Sequence, residues 1–346
     1  MRIPVFHPIV RGSYHKMGYG YGTIVYNHGF RVPEQSVEKL DFGRKSEGEV
    51  RRVFPEILEE IKGFSEGCHA SYEQTAAFIF GVGAFKVGPM CSAFAAVSNS
   101  DVVFGRNYDF FYSFKKYTEG YLTCPNDGYW SLGHTDIFIG REDGVNEKGL
   151  AVAMTGVEGK SVKPGVSFCL ALRCVLDKCA DVEEAVKLLS NAHFSAAGNY
   201  LLADREANLA VVEASPDKTR MRRPENGDSF MVCTNHFVHA EMQDMEDLNE
   251  RARCNWDSLP RYATIYEAIK RQNGEIDVGA AQKILSNHSG YVCSHQNKIK
   301  LGTIWSVATT LKEPRIFRAE GHPCRTKYKQ DLRLNKAIRR RQKEDR

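Results

Sequence analysis

The sequence lacks a long apolar run, a C-x-x-C pair and a large charge imbalance. No stretch approaches the roughly eighteen apolar residues of a membrane span, and the opening MRIPVFHPIVRGSYHK has no signal-peptide core. A net charge of +4 over 346 residues gives no reason to expect a nucleic-acid partner. We therefore expect a cytoplasmic protein with no membrane span and no nucleic-acid partner.

The ten cysteines are widely spaced along the chain. Without C-x-x-C pairs, the zinc-ribbon and thioredoxin patterns lack their main feature. The C-S-H triplet at 293–295 has no partners at metal-ligand spacing in the neighbouring sequence. We therefore expect mostly small buried thiols, with no metal and no cofactor.

The order of predicted elements indicates an α+β fold. Residues 34–85 have helical periodicity within a leader of residues 1–90, and strands dominate from residue 91. Between TDIFIG and GLAVAMTGV, the pair Asp143–Gly144 predicts a turn. One long helix is predicted over residues 167–192, and two more precede a closing strand pair around Lys312–Pro314. A core of residues 91–328 is thus followed by a charged tail, 329–346.

The stretch GPMCSAFAAVSNSDVVFGRNYDFF combines a cysteine with charged residues in apolar strands. A hairpin turning at Asn99–Ser100 pairs Cys91 with about Tyr108 and places Arg106 on the same face. Asp109 has the opposite parity and needs a bulge or a strand end to join them. A neighbouring cation lowers the pKa of a thiol. Taken alone, the stretch still favours a core cysteine beside an ordinary ion pair.

Six motifs, in order, resemble those of one enzyme family. They cover most of residues 91–324 and read CSAFAAVSNSDVVFGRNYDFFYSF, DGVNEKGLAVA, GNYLLADREANLAVVE, VCTNHF, SLPRYATIYEAI and LGTIWSVATTLKEPRIFRAEGHPC. This ordered set resembles the choloylglycine hydrolase and acyl-CoA:6-aminopenicillanic acid acyltransferase branch (peptidase C45-like) of the N-terminal-nucleophile hydrolases. The nearer relatives are the acyltransferase-like members, whose chains carry a helical leader.

The resemblance implies a four-layer αββα sandwich of two mainly antiparallel sheets. It also implies that the chain cuts its own Met90–Cys91 bond and then attacks a linear amide through a thioester. The freed α-amine then serves as the base, since the pKa of such an amine is ordinarily about 7.7–8.0. Water as acceptor makes an amidohydrolase and an amine makes an acyltransferase, so the partner is a small acyl amide or acyl-CoA. The apolar helix faces of the leader imply that it stays associated after cleavage.

The resemblance also implies roles for five residues. Cys91 is the nucleophile, Arg106 lies beside its thiol, and Asp109 holds its amine. Asn235 donates to the oxyanion, and Arg261 supports the nucleophile. The alternatives are a strand-end cap for Asn235 and a solvated first-turn arginine for Arg261.

The sequence departs from the bile-salt hydrolases at one position. Those enzymes carry a second asparagine after N-E-K-G-L, where this chain has Thr155 and Gly156. The Thr155 hydroxyl or a backbone N–H can substitute, and Asn146 is an alternative donor whose ordinary interpretation is a turn residue. Asn107 and Asn199 are further supporting candidates.

The aromatic candidates for an apolar acyl pocket are Tyr108, Phe110, Phe111, Phe114 and Trp305, each of which can equally be core packing. Two rival functions stay open. One is a cysteine peptidase or thioesterase that pairs Cys91 with a histidine such as His236 and does not cleave itself. The other is a non-catalytic binding protein that keeps the fold. The sequence does not predict the oligomeric state.

Overall fold

The fold contains two sheets, seen in a computed structural model that describes residues 7–85, 90–249 and 257–344. The first sheet, sheet A, has the strand order β1-β4-β5-β6-β7-β8-β9-β10. Its strands are Ile9–Gly12 (β1), Glu119–Pro125 (β4), Ser131–Thr135 (β5), Asp143–Asn146 (β6), Ala151–Gly156 (β7), Gly198–Ala203 (β8), Leu209–Ala214 (β9) and Thr219–Arg222 (β10). All neighbours in it are antiparallel except β1, which pairs parallel with β4.

The second sheet, sheet B, is antiparallel throughout and has the order β11-β2-β3-β13-β14-β15, with β12 pairing with β13. Its strands are Met90–Val97 (β2), Val102–Phe111 (β3), Phe230–Cys233 (β11), His295–Gln296 (β12), Leu301–Thr310 (β13), Arg315–Ala319 (β14) and Lys329–Asp331 (β15).

The helices lie outside the two sheets. In chain order they are Tyr14–Asn27 (α1), Val37–Val53 (α2), Pro55–Gly67 (α3), Tyr72–Phe80 (α4), Phe168–Lys178 (α5), Val182–Ser190 (α6), Ala240–Gln243 (α7), Ser258–Lys270 (α8), Val278–Leu285 (α9) and Arg333–Glu344 (α10). Among the described residues, no helix is both long enough and apolar enough to cross a membrane.

Three hydrophobic clusters confirm the predicted four-layer αββα order. One cluster joins α1, α3, α5 and α6 to the outer face of sheet A. A second fills the space between the sheets, where Ala93 and Phe104 of sheet B meet Leu201 and Val211 of sheet A. A third packs α8 and α9 on the outer face of sheet B. Successive residues of each central strand therefore point in turn toward the other sheet and toward a helix layer, because the side-chain period of a strand is two residues.

The leader is built into this sandwich. Its strand β1, which the sequence does not predict, extends sheet A by pairing Ile9 with Leu122. Helices α1 and α3 approach closely through glycines four residues apart on each. A Cβ added at Gly18 or Gly63 would lie 2.0–2.1 Å from a backbone oxygen of the other helix. Within the leader, α3 begins at Pro55, and Ser71 caps α4 by accepting from the Gln74 N–H.

Two predictions of element bounds are wrong. The single helix over residues 167–192 is two helices, because Asp181 caps a new one by accepting from the Glu184 N–H at 2.9 Å. The charged tail begins inside the fold, since β15 pairs with β14 and α10 buries Leu334 and Ala337 between the sheets. Apolar residues at helical spacing give α10 its packed face.

Candidate active site

The hairpin β2–β3 has the predicted register. Cys91 pairs with Tyr108, and Ala93 pairs with Arg106. Since residues 91, 106 and 108 share a face of sheet B, the Cys91 thiol and the Arg106 guanidinium both point between the sheets. The strand pairing thus places the cation beside the thiol.

The Arg106 guanidinium contacts the Cys91 thiol directly. Its Nη2 donates to Sγ at 3.1 Å, and the two residues are 1% and 0% exposed. Burial raises the pKa of the Cys91 thiol to about 12, and Arg106 opposes that rise. In the uncut chain the thiol is therefore protonated at neutral pH.

Four further groups from sheet A surround Arg106. Nη1 donates to Asp143 at 2.8 Å, and Nη2 donates to Glu142 at 3.1 Å and to the Met154 carbonyl at 3.0 Å. His134 also contacts Asp143, with 3.0 Å between Nδ1 and Oδ2. Burial works against the charge of Arg106, but Cys91, Asp143 and Glu142 outweigh it and raise its pKa. The arginine therefore stays charged in a buried site.

The pKa values of Asp143 and Glu142, the two acidic neighbours of Arg106, are shifted in opposite directions. Burial favours a neutral Asp143, but His134 and Arg106 hold its pKa at about 2. Burial and nearby Asp136 raise the pKa of Glu142 well above its usual range. Asp136 itself accepts from the Tyr108 hydroxyl at 2.6 Å. Asp143 is thus the counterion of Arg106, while the pKa of Glu142 is shifted upwards.

This acidic group was not predicted from the sequence. A turn was expected at Asp143–Gly144, but these residues begin strand β6, and the turn follows at Glu147–Gly149. Gly149, with φ at +83°, takes the left-handed conformation that this turn requires. The available signal was the adjacent pair Glu142–Asp143 beside a strand, since buried acidic pairs need a cation. The predicted TDIFIG strand also ends early, at Thr135.

The backbone of Cys91 is held by the predicted asparagine and arginine. Its N–H donates to Asn235 Oδ1 at 3.0 Å, and its carbonyl accepts from Arg261 Nη1. Arg261 also donates to Asn235 Oδ1 at 2.7 Å, and Asn235 Nδ2 donates to the Gly156 carbonyl at 2.7 Å. Arg261 reaches this point from the first turn of α8, and its burial contradicts the alternative of a solvated arginine. The Cys91 backbone nitrogen, the Asn235 amide and the Arg261 guanidinium therefore form one buried network.

Asp109 lies on the opposite face of β3, as its parity predicts. It pairs with Met90 at the start of β2, next to a bulge in β13 between Thr303 and Trp305. Its Oδ1 accepts from the Thr303 hydroxyl at 2.5 Å, and its buried Oδ2 has no hydrogen-bond partner among the described residues. Burial raises the pKa of Asp109 to about 6, with Arg261 opposing. Asp109 Oδ2 thus lies across the strand pair from Met90, the residue that precedes Cys91.

Thr155 and Asn199 support the segment that carries Asn235. The Thr155 hydroxyl donates to the Thr234 carbonyl at 2.5 Å and accepts from Asn199 Nδ2 at 3.1 Å. Asn199 Nδ2 also donates to the Thr234 carbonyl at 2.8 Å. The prediction that Thr155 offers its hydroxyl to an oxyanion is therefore wrong for this arrangement, because that proton is committed to Thr234.

The other asparagine candidates and His236 have structural partners. Asn146 donates to the carbonyls at the end of α5 and closes the turn after β6, which is its ordinary interpretation. Asn107 faces the helix layer and donates to the Leu285 and Val292 carbonyls, both at 2.8 Å. His236 Nδ1 contacts the Ser258 hydroxyl at 2.7 Å. Neither asparagine reaches the thiol side of sheet B.

A largely apolar cavity of about 320 Å³ lies beside the acidic group. Tyr108 and Glu142 line it from the core, together with Phe110, Phe114, Ile137 and Phe168. The leader lines the opposite side with Ala77, Phe78, Val82 and Phe85. Tyr108, Phe110 and Phe114 were predicted for this role. Phe111 and Trp305 do not line this cavity: Phe111 is 37% exposed, and Trp305 stacks on His134 with 4.8 Å between ring centroids.

The expectation of no metal ligands at C-S-H needs correction. His288 and Cys324 approach Cys293 and His295, so that one ligand atom from each lies within 4.8 Å of the others. Cys324 comes from a distant loop, whereas His288 lies only five residues before Cys293.

The two sheets stack between helix layers in the αββα order, and a buried cysteine lies near the start of the inner strand β2. Residues 97–324 match the family model described as acyl-coenzyme A:6-aminopenicillanic acid acyl-transferase. The match spans about two thirds of the chain, which therefore belongs to this family. The protein is accordingly an enzyme of this acyl-transferase-like family. The matched span includes Arg106, Asp109, Asn235 and Arg261 and begins after Cys91.

Several solved structures are similar to this chain. Penicillin V acylase from Agrobacterium tumefaciens is 19% identical with a TM-score of 0.46, covering 66% of this chain and 83% of its own. An N-acylethanolamine-hydrolyzing acid amidase ortholog from Caenorhabditis elegans is 17% identical with a TM-score of 0.47, covering 64% and 93%. The conjugated bile acid hydrolase of Clostridium perfringens is 16% identical with a TM-score of 0.46, covering 70% and 96%. No curated protein sequence matched.

Proposed function

We propose that this protein is a self-processing cysteine amidase or acyltransferase that acts on linear amides with an apolar acyl group. The observation that carries the proposal is the position of Cys91, whose thiol and backbone nitrogen both lie in one buried polar network. A nucleophile that also serves as its own base needs both groups to be positioned.

Activation is a cleavage of the Met90–Cys91 bond. The Cys91 thiol attacks the Met90 carbonyl, the C–N bond breaks as the amine takes a proton, and water hydrolyses the resulting thioester. The products are a Met90 carboxylate and a free Cys91 amine. The unpartnered oxygen of Asp109 supports a role in holding that amine, because Asp109 lies opposite Met90 in the strand pairing.

In turnover the freed amine accepts the thiol proton. The thiolate, stabilised by Arg106, then attacks the substrate carbonyl. The Asn235 amide donates to the oxyanion, a contribution worth about 2.7–4 kcal/mol in such sites. The amine part of the substrate takes a proton and leaves, so that the acyl group stays on sulfur as a thioester. Water or an acceptor amine then takes the acyl group from sulfur and restores the thiol.

The leader is proposed to stay bound after cleavage and to complete the substrate site. Arg173 of α5 forms a buried ion pair with Glu60 of α3 at 2.9 Å, and Tyr21 of α1 donates to Glu119 of β4 at 2.5 Å. Together with the β1–β4 pairing and the shared hydrophobic cluster, these contacts do not depend on the Met90–Cys91 bond. The cavity between leader and core fits an apolar acyl chain.

The rival cysteine–histidine mechanism has less support. His134 contacts Asp143 and stacks on Trp305, and His236 contacts Ser258. Among the described residues, Arg106 is the hydrogen-bond partner of the Cys91 thiol, and no histidine is.

Trapping the acyl-enzyme tests the proposed chemistry. The wild type is mixed with a series of N-acyl p-nitroanilides of increasing acyl-chain length. The reaction is quenched in acid, and the mass of the intact protein fragments is measured by mass spectrometry. We expect an acyl adduct on the fragment that begins with Cys91, and release of acyl hydroxamate when hydroxylamine is the acceptor. The Cys91→Ala variant is the control and should carry no adduct. Turnover without any Cys91 adduct would contradict the proposal.

A further inference from the structure

A group of two cysteines and two histidines lies at the edge of sheet B. Its members are His288 after α9, Cys293 and His295 before β13, and Cys324 in the loop between β14 and β15. The group thus gathers three separate segments of the chain.

The atomic separations resemble those of a tetrahedral site. His295 Nε2 lies 3.4 Å from Cys293 Sγ and 3.2 Å from Cys324 Sγ. Zinc–sulfur bonds of about 2.3 Å and zinc–nitrogen bonds of about 2.0–2.1 Å place such ligand atoms about 3.3–3.8 Å apart. All four ligand atoms lie within 4.8 Å of one another, so small side-chain movements complete the geometry.

We propose that His288, Cys293, His295 and Cys324 bind one structural zinc ion. Two thiolates and two neutral imidazoles neutralise Zn²⁺, and four protein ligands leave no position open for catalysis. Cys293 is buried, whereas His288 is exposed and Cys324 partly exposed, so the ion can reach the site. The ring of His322 packs on that of His295, with 4.0 Å between centroids, and encloses the site on that side.

The zinc site would also fix the residues behind Asp109. Ser294 lies between two of the ligands, and its N–H donates to the Thr303 hydroxyl at 2.9 Å. The same hydroxyl donates to Asp109 at 2.5 Å. Binding zinc at Cys293 and His295 thus anchors a hydrogen-bonded connection to the candidate active site. It also holds β12, which is two residues long.

The test is metal analysis of the full chain, purified under reducing conditions without chelator. We expect about one zinc ion per chain. The metal-free protein titrated with Co²⁺ should develop the thiolate charge-transfer and d–d absorption bands of a tetrahedral site. Cys324→Ser and His288→Gln should each weaken Co²⁺ binding at least about tenfold. His288 is exposed, so its variant stays informative even where Cys324→Ser folds poorly.

Two control variants separate this site from the other thiols. Cys68→Ser removes a buried cysteine in the leader, and Cys91→Ala removes the nucleophile, so both should keep the metal and the spectrum. The readout requires no enzymatic turnover, so it stands apart from the proposed function. The absence of zinc and of cobalt bands in the reduced wild type would overturn the proposal. A Cys293–Cys324 disulfide in the purified protein, or metal lost with Cys91→Ala, would overturn it too.

Discussion

Arg106 Nη2 lies 3.1 Å from the Cys91 sulfur, and the same guanidinium forms an ion pair with Asp143 and donates a hydrogen bond to Glu142. One buried cation thus links the candidate nucleophile to both acidic residues of sheet A. Its removal would affect the thiol and the stability of the sandwich together.

The Arg106→Gln variant should lose self-cleavage and also unfold more easily. Removing one partner of a buried ion pair costs about 3–5 kcal/mol, because Asp143 is left without its counterion. Urea unfolding measures the stability loss, and intact mass measures cleavage in the folded fraction. Arg173→Gln is the control, since it breaks a buried ion pair with Glu60 away from Cys91. If that variant, once folded, were equally uncut, the loss of cleavage in Arg106→Gln would reflect stability alone.

The Asn235→Ala variant should lower kcat for amide hydrolysis by about 10²–10³-fold, because the oxyanion loses a donor. Steady-state kinetics on a p-nitroanilide substrate measures the change. Asn107→Ala removes an equally buried asparagine that holds α9 and should cost about 1–3 kcal/mol of stability with kcat little changed. Equal losses of kcat in the two variants would contradict the assignment of Asn235.

The Asp109→Asn variant should change how stability depends on pH, measured in a Cys91→Ala background to keep the chain intact. Burial raises the pKa of Asp109 from 3.8 to about 6, with Arg261 and Thr303 opposing. Between these values the unfolded chain releases the proton first, so the free energy of unfolding falls as pH rises through this window. It stays lower above pH 6.

Across that window, the stability difference between Asp109→Asn and its parent should shift by on the order of 3 kcal/mol in favour of asparagine. Urea unfolding of both proteins at several pH values measures this difference, in which the other titrating groups cancel. A difference that is constant from about pH 3 to about pH 8 would show that Asp109 is not ionised against a burial penalty.

The Phe78→Ala variant tests whether the leader forms the acyl pocket. Phe78 lies on α4 and lines the cavity, so its loss should lower kcat/KM for a long-chain acyl amide by about 10–200-fold. A short-chain substrate should be affected less. Tyr19→Ala, an exposed aromatic on α1, is the matched leader control and should leave both substrates unaffected. Equal effects of Phe78→Ala on short and long substrates would place the acyl chain elsewhere.

Strand parity allowed the sequence to predict the inner half of this site. A two-residue period and a turn near Ser100 were enough to place Arg106 beside Cys91 and Asp109 on the other face. The same local reasoning could not predict contacts between sheets. Glu142 and His134 reach Arg106 from sheet A, and nothing near them in sequence indicates that neighbour. The edge strand β1 and the approach of Cys324 to His295 also depend on long-range packing.

The resemblance to a family predicted Cys91 and four residues around it. The structure brings Arg106, Asn235 and Arg261 into contact with Cys91 and places Asp109 opposite Met90. It did not predict the commitment of the Thr155 hydroxyl, because the direction of a hydroxyl depends on its neighbours in space. Asn146 and Asn107 failed as candidates for a similar reason, since each has a carbonyl partner on an adjacent helix or loop.

The intact mass of the denatured wild type, measured beside Cys91→Ala, tests the central claim most directly. We expect two fragments that meet at Met90–Cys91 in the wild type and one uncut chain in the variant. In gel filtration under native conditions, the two fragments should elute together. A single uncut chain in the wild type would contradict the self-activating mechanism and remove the α-amine as the base.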